Sequence, residues 1–149
     1  MGNYLIIGGS SGIGRATCEN LLEEGHSVYA SYNNGSIELT DPNFKTFHWS
    51  AENSFIDIDI LPNQLDGFVY CPGTINLKPF HRVKPDAFIE DYQIQVGGAI
   101  QILQNVLPLL KNSESASVVF YSSIAVQRGF TFHSLELLSY TSQKQTLHY

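Results

Sequence analysis

Cysteine is scarce in this chain, positive charge is sparse and scattered, and no long apolar run interrupts it. Two cysteines in 149 residues, Cys18 and Cys71, give neither a disulfide framework nor metal-ligand spacing. They are expected to act as small buried hydrophobes. The five histidines, His26, His48, His81, His133 and His148, are spread without ligand spacing, so no metal site is expected. Lys and Arg number 8 against 14 Asp and Glu, a net charge of −6. Without a basic cluster, nucleic acid is excluded as the main partner. No apolar stretch approaches the roughly 20 residues of a membrane span, so no membrane partner is expected. The first residues lack the charged start and apolar core of a signal peptide, and a cytoplasmic location is expected. With 43% hydrophobic residues, the length suits one domain with a real core and falls short of two.

What is present is concentrated at the start. Asn3-Tyr4-Leu5-Ile6-Ile7 is a short apolar strand, and Arg15 to Glu24 has helical character. Between them lies Gly8-Gly9-Ser10-Ser11-Gly12-Ile13-Gly14. A strand, a glycine turn and a helix N-terminus make an anion site, because the backbone can approach closely and the first helix N–H groups lack partners. The spacing G-x-x-x-G-x-G is one residue wider at the front than the common dinucleotide fingerprint. Gly8, Ser10, Ser11, Gly12, Ile13 and Gly14 are therefore candidate nucleotide contacts; the alternative is a tight strand-to-helix turn.

Strands and helical segments then alternate. Gly25 is placed to cap the first helix, and residues 26–32 read as a second strand, followed by the turn cluster Asn33-Asn34-Gly35-Ser36. Phe44 to Trp49 reads as a short third strand, residues 52–62 as one or two helical turns closed by Pro62, and Gly67 to Cys71 as a fourth strand. Pro85 to Lys111 is the longest stretch of helical periodicity, with Phe88, Tyr92, Val96, Ala99, Ile100, Leu103 and Val106 recurring on one face. Tyr92, Val96 and Ile100 are expected in the core. Ser117 to Ser122 reads as a fifth buried strand. The alternation predicts an α/β fold, a mostly parallel sheet covered on both faces.

In such sheets ligands bind beyond the carboxyl ends of the strands. Those ends carry the glycine turn, Ser31 and Asn33 after strand two, Cys71-Pro72-Gly73-Thr74 after strand four, and Ser122-Ser123 after strand five. Trp49 falls near the third strand's end, where packing is the expected role and adenine contact the alternative. Tyr140 and Lys144 are four residues apart and share a helix face. An ammonium beside a phenol lowers the phenol's pKa from about 10, which suits it to proton transfer.

Together these segments resemble the N-terminal part of the short-chain dehydrogenase/reductase family. GGSSGIG at 8–14 matches that family's cofactor turn. Cys71-Pro72-Gly73-Thr74 lies at its Asn-Asn-Ala-Gly segment, with only Gly73 kept. Val96-Gly97-Gly98-Ala99 resembles the middle of its long fourth helix, and Ser122-Ser123-Ile124-Ala125 its catalytic-serine segment. The resemblance implies a Rossmann-type three-layer α/β/α domain over residues 1–134, an NAD or NADP cofactor, a small carbonyl or alcohol substrate and possible homo-oligomers. It places Gly8, Ser10, Ser11, Gly12, Ile13, Gly14, Ser31, Asn33, Cys71 and Gly73 at the cofactor. Ser123, Tyr140, Lys144 and Gln95 would form the catalytic group.

The chain departs from the family's pattern at four points. Gln95 stands where the family has an asparagine, an amide on a longer arm. The end of strand two carries Ser31-Tyr32-Asn33-Asn34, with neither an acid for a ribose 2′-hydroxyl nor an arginine for a 2′-phosphate, which leans the expectation towards NADP. The family's interval from Ser123 would put its tyrosine and lysine at Glu136 and Tyr140, one turn before Tyr140 and Lys144. Either a four-residue insertion restores the geometry or the pair is fortuitous. Residues 135–149 are expected to be an atypical tail of helical character, and the family's later helix, sixth strand and substrate cover have no counterpart. The C-terminal part of the fold is thus expected to be missing, the mark of a truncated or frame-shifted product. The alternative to an oxidoreductase is a catalytically inactive nucleotide-binding module.

Overall fold

The apolar runs at 3–7, 27–32 and 67–70 zip into the centre of one twisted parallel sheet. The structure, a computed structural model, describes residues 1–52 and 55–124. Its strands are β1 (Asn3–Ile7), β2 (Ser27–Tyr32), β3 (Phe44–His48), β4 (Gly67–Tyr70) and β5 (Ser117–Phe120), in the spatial order β3-β2-β1-β4-β5. Every pairing is parallel: Leu5 sits opposite Tyr29 on one side and Phe68 on the other. The helices are α1 (Gly12–Glu23), α2 (Pro85–Tyr92) and α3 (Gly98–Lys111). The chain leaves β1 towards β2 and β3, then returns to the other side of β1 with β4 and β5. The order therefore reverses between β1 and β4, which opens a crevice at their carboxyl ends.

Strand alternation divides the core into two layers. Ile6, Val28, Ala30 and Val69 pack with Cys18, Leu21 and Leu22 of α1 on one face. Leu5, Ile7, Phe68 and Tyr70 pack with Ile102, Val106 and Leu110 of α3 on the other. This is the Rossmann-type three-layer arrangement that the sequence leads one to expect. Gly25, at φ +78°, ends α1: its N–H reaches the Leu22 carbonyl at 2.9 Å, and the His26 N–H reaches that of Leu21 at 3.0 Å. This double closure needs the left-handed conformation that glycine adopts freely. At the amino end of the sheet the Asp66 carboxylate accepts from the Asn3 N–H, the Gln64 amide and the Ser113 hydroxyl, at 2.8, 2.7 and 2.7 Å.

Two expectations are corrected. Pro85 to Lys111 is not one uniform helix: a wider π turn at Gln93–Gly97 joins α2 to α3. The extra residue in that turn rotates the frame, so Asp91 and Gln95 face inward with Val96 while Tyr92 and Ile100 are half exposed. Strand β5 is not buried. Val118 and Val119 are exposed by 42% and 39%, because β5 is the outer strand and pairs only with β4 among the described residues. Among the described residues of segment 52–62, the expected helical turn is a short 3₁₀ turn at Ile58–Ile60, with the Asp57 carboxylate accepting from the Asp59 N–H.

Candidate functional site

The crevice between β1 and β4 is the floor of a cavity of about 860 Å³, within the range of roughly 300–1,000 Å³ typical of small-molecule sites. The glycine turn forms one wall. Gly14 is there because nothing larger fits: a Cβ at that position would lie 2.2 Å from the Gly8 carbonyl oxygen and 3.3 Å from the Cys71 Cβ. At Gly12 a Cβ would meet nothing within 4 Å, so that backbone is open to a ligand, and its φ of +54° favours glycine. Ser11 begins α1 with extended backbone, and its hydroxyl makes no capping bond to the helix. The helix N–H groups and the Ser11 hydroxyl are thus left as donors at the positive end of the dipole. The donor set and the open backbone fit a phosphate-bearing cofactor.

Ser31 fixes this turn from beneath. Its Oγ accepts from the Gly8 N–H at 3.0 Å, its carbonyl accepts from the Gly9 N–H at 2.8 Å, and its side chain is fully buried. The Ser31 side chain therefore holds the loop, although the residue also borders the cavity.

All ten residues expected at the cofactor line this one cavity, and Ser123 lines it as well. Asn34, Ser36, Ser50 and Thr74 join them. None of the described lining residues is Lys, Arg, Asp or Glu. The local field favouring an anion therefore comes from oriented N–H groups and the helix dipole. Trp49 borders the cavity but is buried edge-to-face against Tyr70, ring centroids 6.1 Å apart, with its indole N–H unpartnered among the described residues. Tyr140 and Lys144 lie outside the described residues.

Gln95 is not on the cavity wall; its neighbour Ile94 is. The Gln95 side chain is fully buried behind that wall, and its Nε2 donates to Asp91 Oδ2 at 2.8 Å. The Thr74 hydroxyl donates to Asp91 Oδ1, and the Tyr70 hydroxyl donates to the Ile94 carbonyl. The sequence reading passed over Asp91. A carboxylate four residues before Gln95 on the buried side of a helix was the available signal, masked because the π turn shifts which residues face inward. Ser50 lies just past the carboxyl end of β3, where the strand-end rule could have found it.

The thiols are quiet. Burial, followed by the nearby Cys71 and Glu19, pushes Cys18 up to about 12, and burial pushes Cys71 up to about 11. Cys18 is fully buried, as expected, whereas Cys71 is only half buried and borders the cavity. Burial likewise raises the Tyr70 phenol, which stays protonated as a donor. Among the described residues no three His, Cys, Asp or Glu side chains gather as metal ligands. No described helix is long and apolar enough to cross a membrane.

Comparison with known proteins agrees with this geometry. The sequence model of the family described as short chain dehydrogenase matches residues 50–148. No curated protein sequence matches. Among solved structures, a short chain dehydrogenase family protein from Francisella tularensis superposes with a TM-score of 0.86 at 24% identity, covering 97% of this chain and 60% of its own. A short chain dehydrogenase/reductase from Saccharomyces cerevisiae gives 0.86 at 19%, covering 96% of this chain and 62% of its own. A short chain dehydrogenase from Shigella flexneri, complexed with NADP, gives 0.81 at 21%, covering 95% and 67%. The chain thus spans about 60% of the length of the first of these structures.

Proposed function

The chain belongs to the short-chain dehydrogenase family, and on that premise we propose that it is an NAD(P)-dependent oxidoreductase interconverting a small carbonyl compound and its alcohol. The observation that carries the proposal is the glycine turn at the β1/β4 reversal, facing Ser123 across one cavity. In this reading Gly8, Gly12 and Gly14 admit the pyrophosphate to the backbone, and the α1 N–H groups with the Ser10 and Ser11 hydroxyls bind it. The bound nicotinamide supplies or accepts the hydride. Asn33, beside Asn34 and Ser36, meets the adenosine ribose with uncharged donors. With no carboxylate among the described lining residues to repel a 2′-phosphate, the site favours NADP over NAD. Cys71 and Gly73 border the cavity after β4.

Ser123 orients the substrate oxygen, Tyr140 exchanges the proton with it, and the Lys144 ammonium lowers the Tyr140 pKa. Gln95 supplies an amide behind the wall. The substrate is a small carbonyl or alcohol compound, and the protein works in the cytoplasm.

Thermal-shift titration with NADP and NAD, followed by carbonyl-dependent loss of NADPH absorbance, tests the reading. Stabilisation by NADP with turnover supports it. Stabilisation without turnover leaves a nucleotide-binding module, and binding of neither nucleotide refutes the assignment. Tyr140→Phe is expected to abolish turnover while NADPH still binds; undiminished turnover would remove Tyr140 from the reaction.

A further inference from the structure

Asp91 is the sole carboxylate among the described residues that is almost wholly buried, at 4% exposure. An ionised group removed from water needs hydrogen bonds to replace its hydration. Here two side chains from different elements supply them: the Thr74 hydroxyl on the loop after β4 reaches Oδ1, and the Gln95 amide on the π turn reaches Oδ2 at 2.8 Å. Each carboxylate oxygen thus holds one element. Thr74 also lines both the main cavity and an adjoining recess of about 270 Å³, whose floor includes Asp91 and Ile94. A third link, from the Tyr70 hydroxyl to the Ile94 carbonyl, joins the end of β4 to the same turn.

We propose that Asp91 is a positioning residue that clamps the Thr74 loop to the π turn and so sets the cavity wall formed by Thr74 and Ile94. An apolar side chain of similar size would fill the volume without directing either partner. The carboxylate accepts from both, and charge-assisted bonds are the stronger kind. The wall lies on the β4–β5 side of the cavity, away from the β2 end where Asn33 and Ser36 stand. The role rests on the dinucleotide reading above, in which the β2 side meets adenosine, so that the opposite wall is left to the nicotinamide end.

The experiment compares binding of whole NADPH, followed by its fluorescence, with calorimetric binding of its adenosine bisphosphate fragment, which carries no nicotinamide. Asp91→Leu is expected to weaken NADPH about tenfold while the fragment stays within about twofold of wild type. Asp91→Asn, whose amide oxygen can accept from Gln95 while its NH₂ donates to Thr74, is expected to restore NADPH affinity to within about threefold. Thr74→Val, a change on an exposed loop, is expected to reproduce the loss and to add nothing to Asp91→Leu. Should Asp91→Leu fail to fold, Thr74→Val decides alone. Equal weakening of both ligands, or unchanged NADPH affinity in the folded variants, overturns the positioning role. Wild-type protein that binds neither NADPH nor NADH refutes the dinucleotide reading itself, and the Asp91 role with it.

Discussion

Replacing Gly14 with alanine places a methyl carbon 2.2 Å from the carbonyl oxygen of Gly8 and 3.0 Å from its carbonyl carbon. The obstacle is backbone, so no rotamer change relieves it. The start of α1 must move from the end of β1 by roughly 1 Å to regain van der Waals separation. That movement is opposed on the far side of the turn by the Ser31 bonds to Gly8 and Gly9, and within α1 by Cys18, packed without exposure against Ile6, Val28 and Ala30. Overpacking of this kind costs about 1–3 kcal/mol. Urea unfolding should therefore show a lower midpoint with an unchanged slope. NADP should also bind more weakly, since the displaced N–H groups are the proposed phosphate donors. Gly12→Ala is the control: its Cβ meets nothing within 4 Å. Only the strain of φ +54° remains, at about 1–2 kcal/mol. A Gly14→Ala protein with wild-type stability and wild-type NADP affinity would refute the close-packing argument for the turn.

Further outcomes follow from the same contacts. Ser31→Ala removes the acceptor of the part-buried Gly8 N–H and should lower stability by about 1–3 kcal/mol in urea unfolding. Hydrogen bonds from Asn3, Ser113 and Gln64 hold the Asp66 carboxyl below its usual pKa. A depressed folded-state pKa contributes stability above the unfolded pKa and loses it as pH falls through the folded one. Wild type should therefore exceed Asp66→Asn in thermal stability at neutral pH, and the gap should close through the acid carboxylate range; a gap independent of pH would contradict this. With Cys18 pushed up to about 12 and Cys71 to about 11, both are thiols at neutral pH. Mass spectrometry should find them slow to alkylate until the chain unfolds.

How much of this was legible in the sequence depended on how local the cause was. The glycine turn could be read because strand, turn and helix start are contiguous, and the three glycines state their own backbone requirement. The strand ends could be read because apolar runs stop at Ser31, Cys71 and Ser122, and a parallel sheet gathers such ends on one side. The helix from Pro85 to Lys111 was legible as a helix but not in its phase. Hydrophobic periodicity cannot show the extra residue in the turn at Gln93–Gly97, so it points Tyr92 and Ile100 to a core they do not enter. The residues of β5 do not by themselves show its exposure, because Val118 and Val119 are apolar whether a strand is central or at the edge.

The sequence by itself determined the class of the fold and the place of the glycine turn within it. Period and composition decide which segments are strands, and a glycine spacing decides where an anion can approach the backbone. Only the tertiary structure decided how those parts face one another. It put β4 rather than β2 on the far side of the crevice and bound Ser31 beneath Gly8. It also withdrew Gln95 behind the wall and buried the Asp91 carboxylate between Gln95 and Thr74. Those relations join residues up to dozens of positions apart through hydrogen bonds and excluded volume. No local pattern encodes them, because each depends on where a distant partner has been placed.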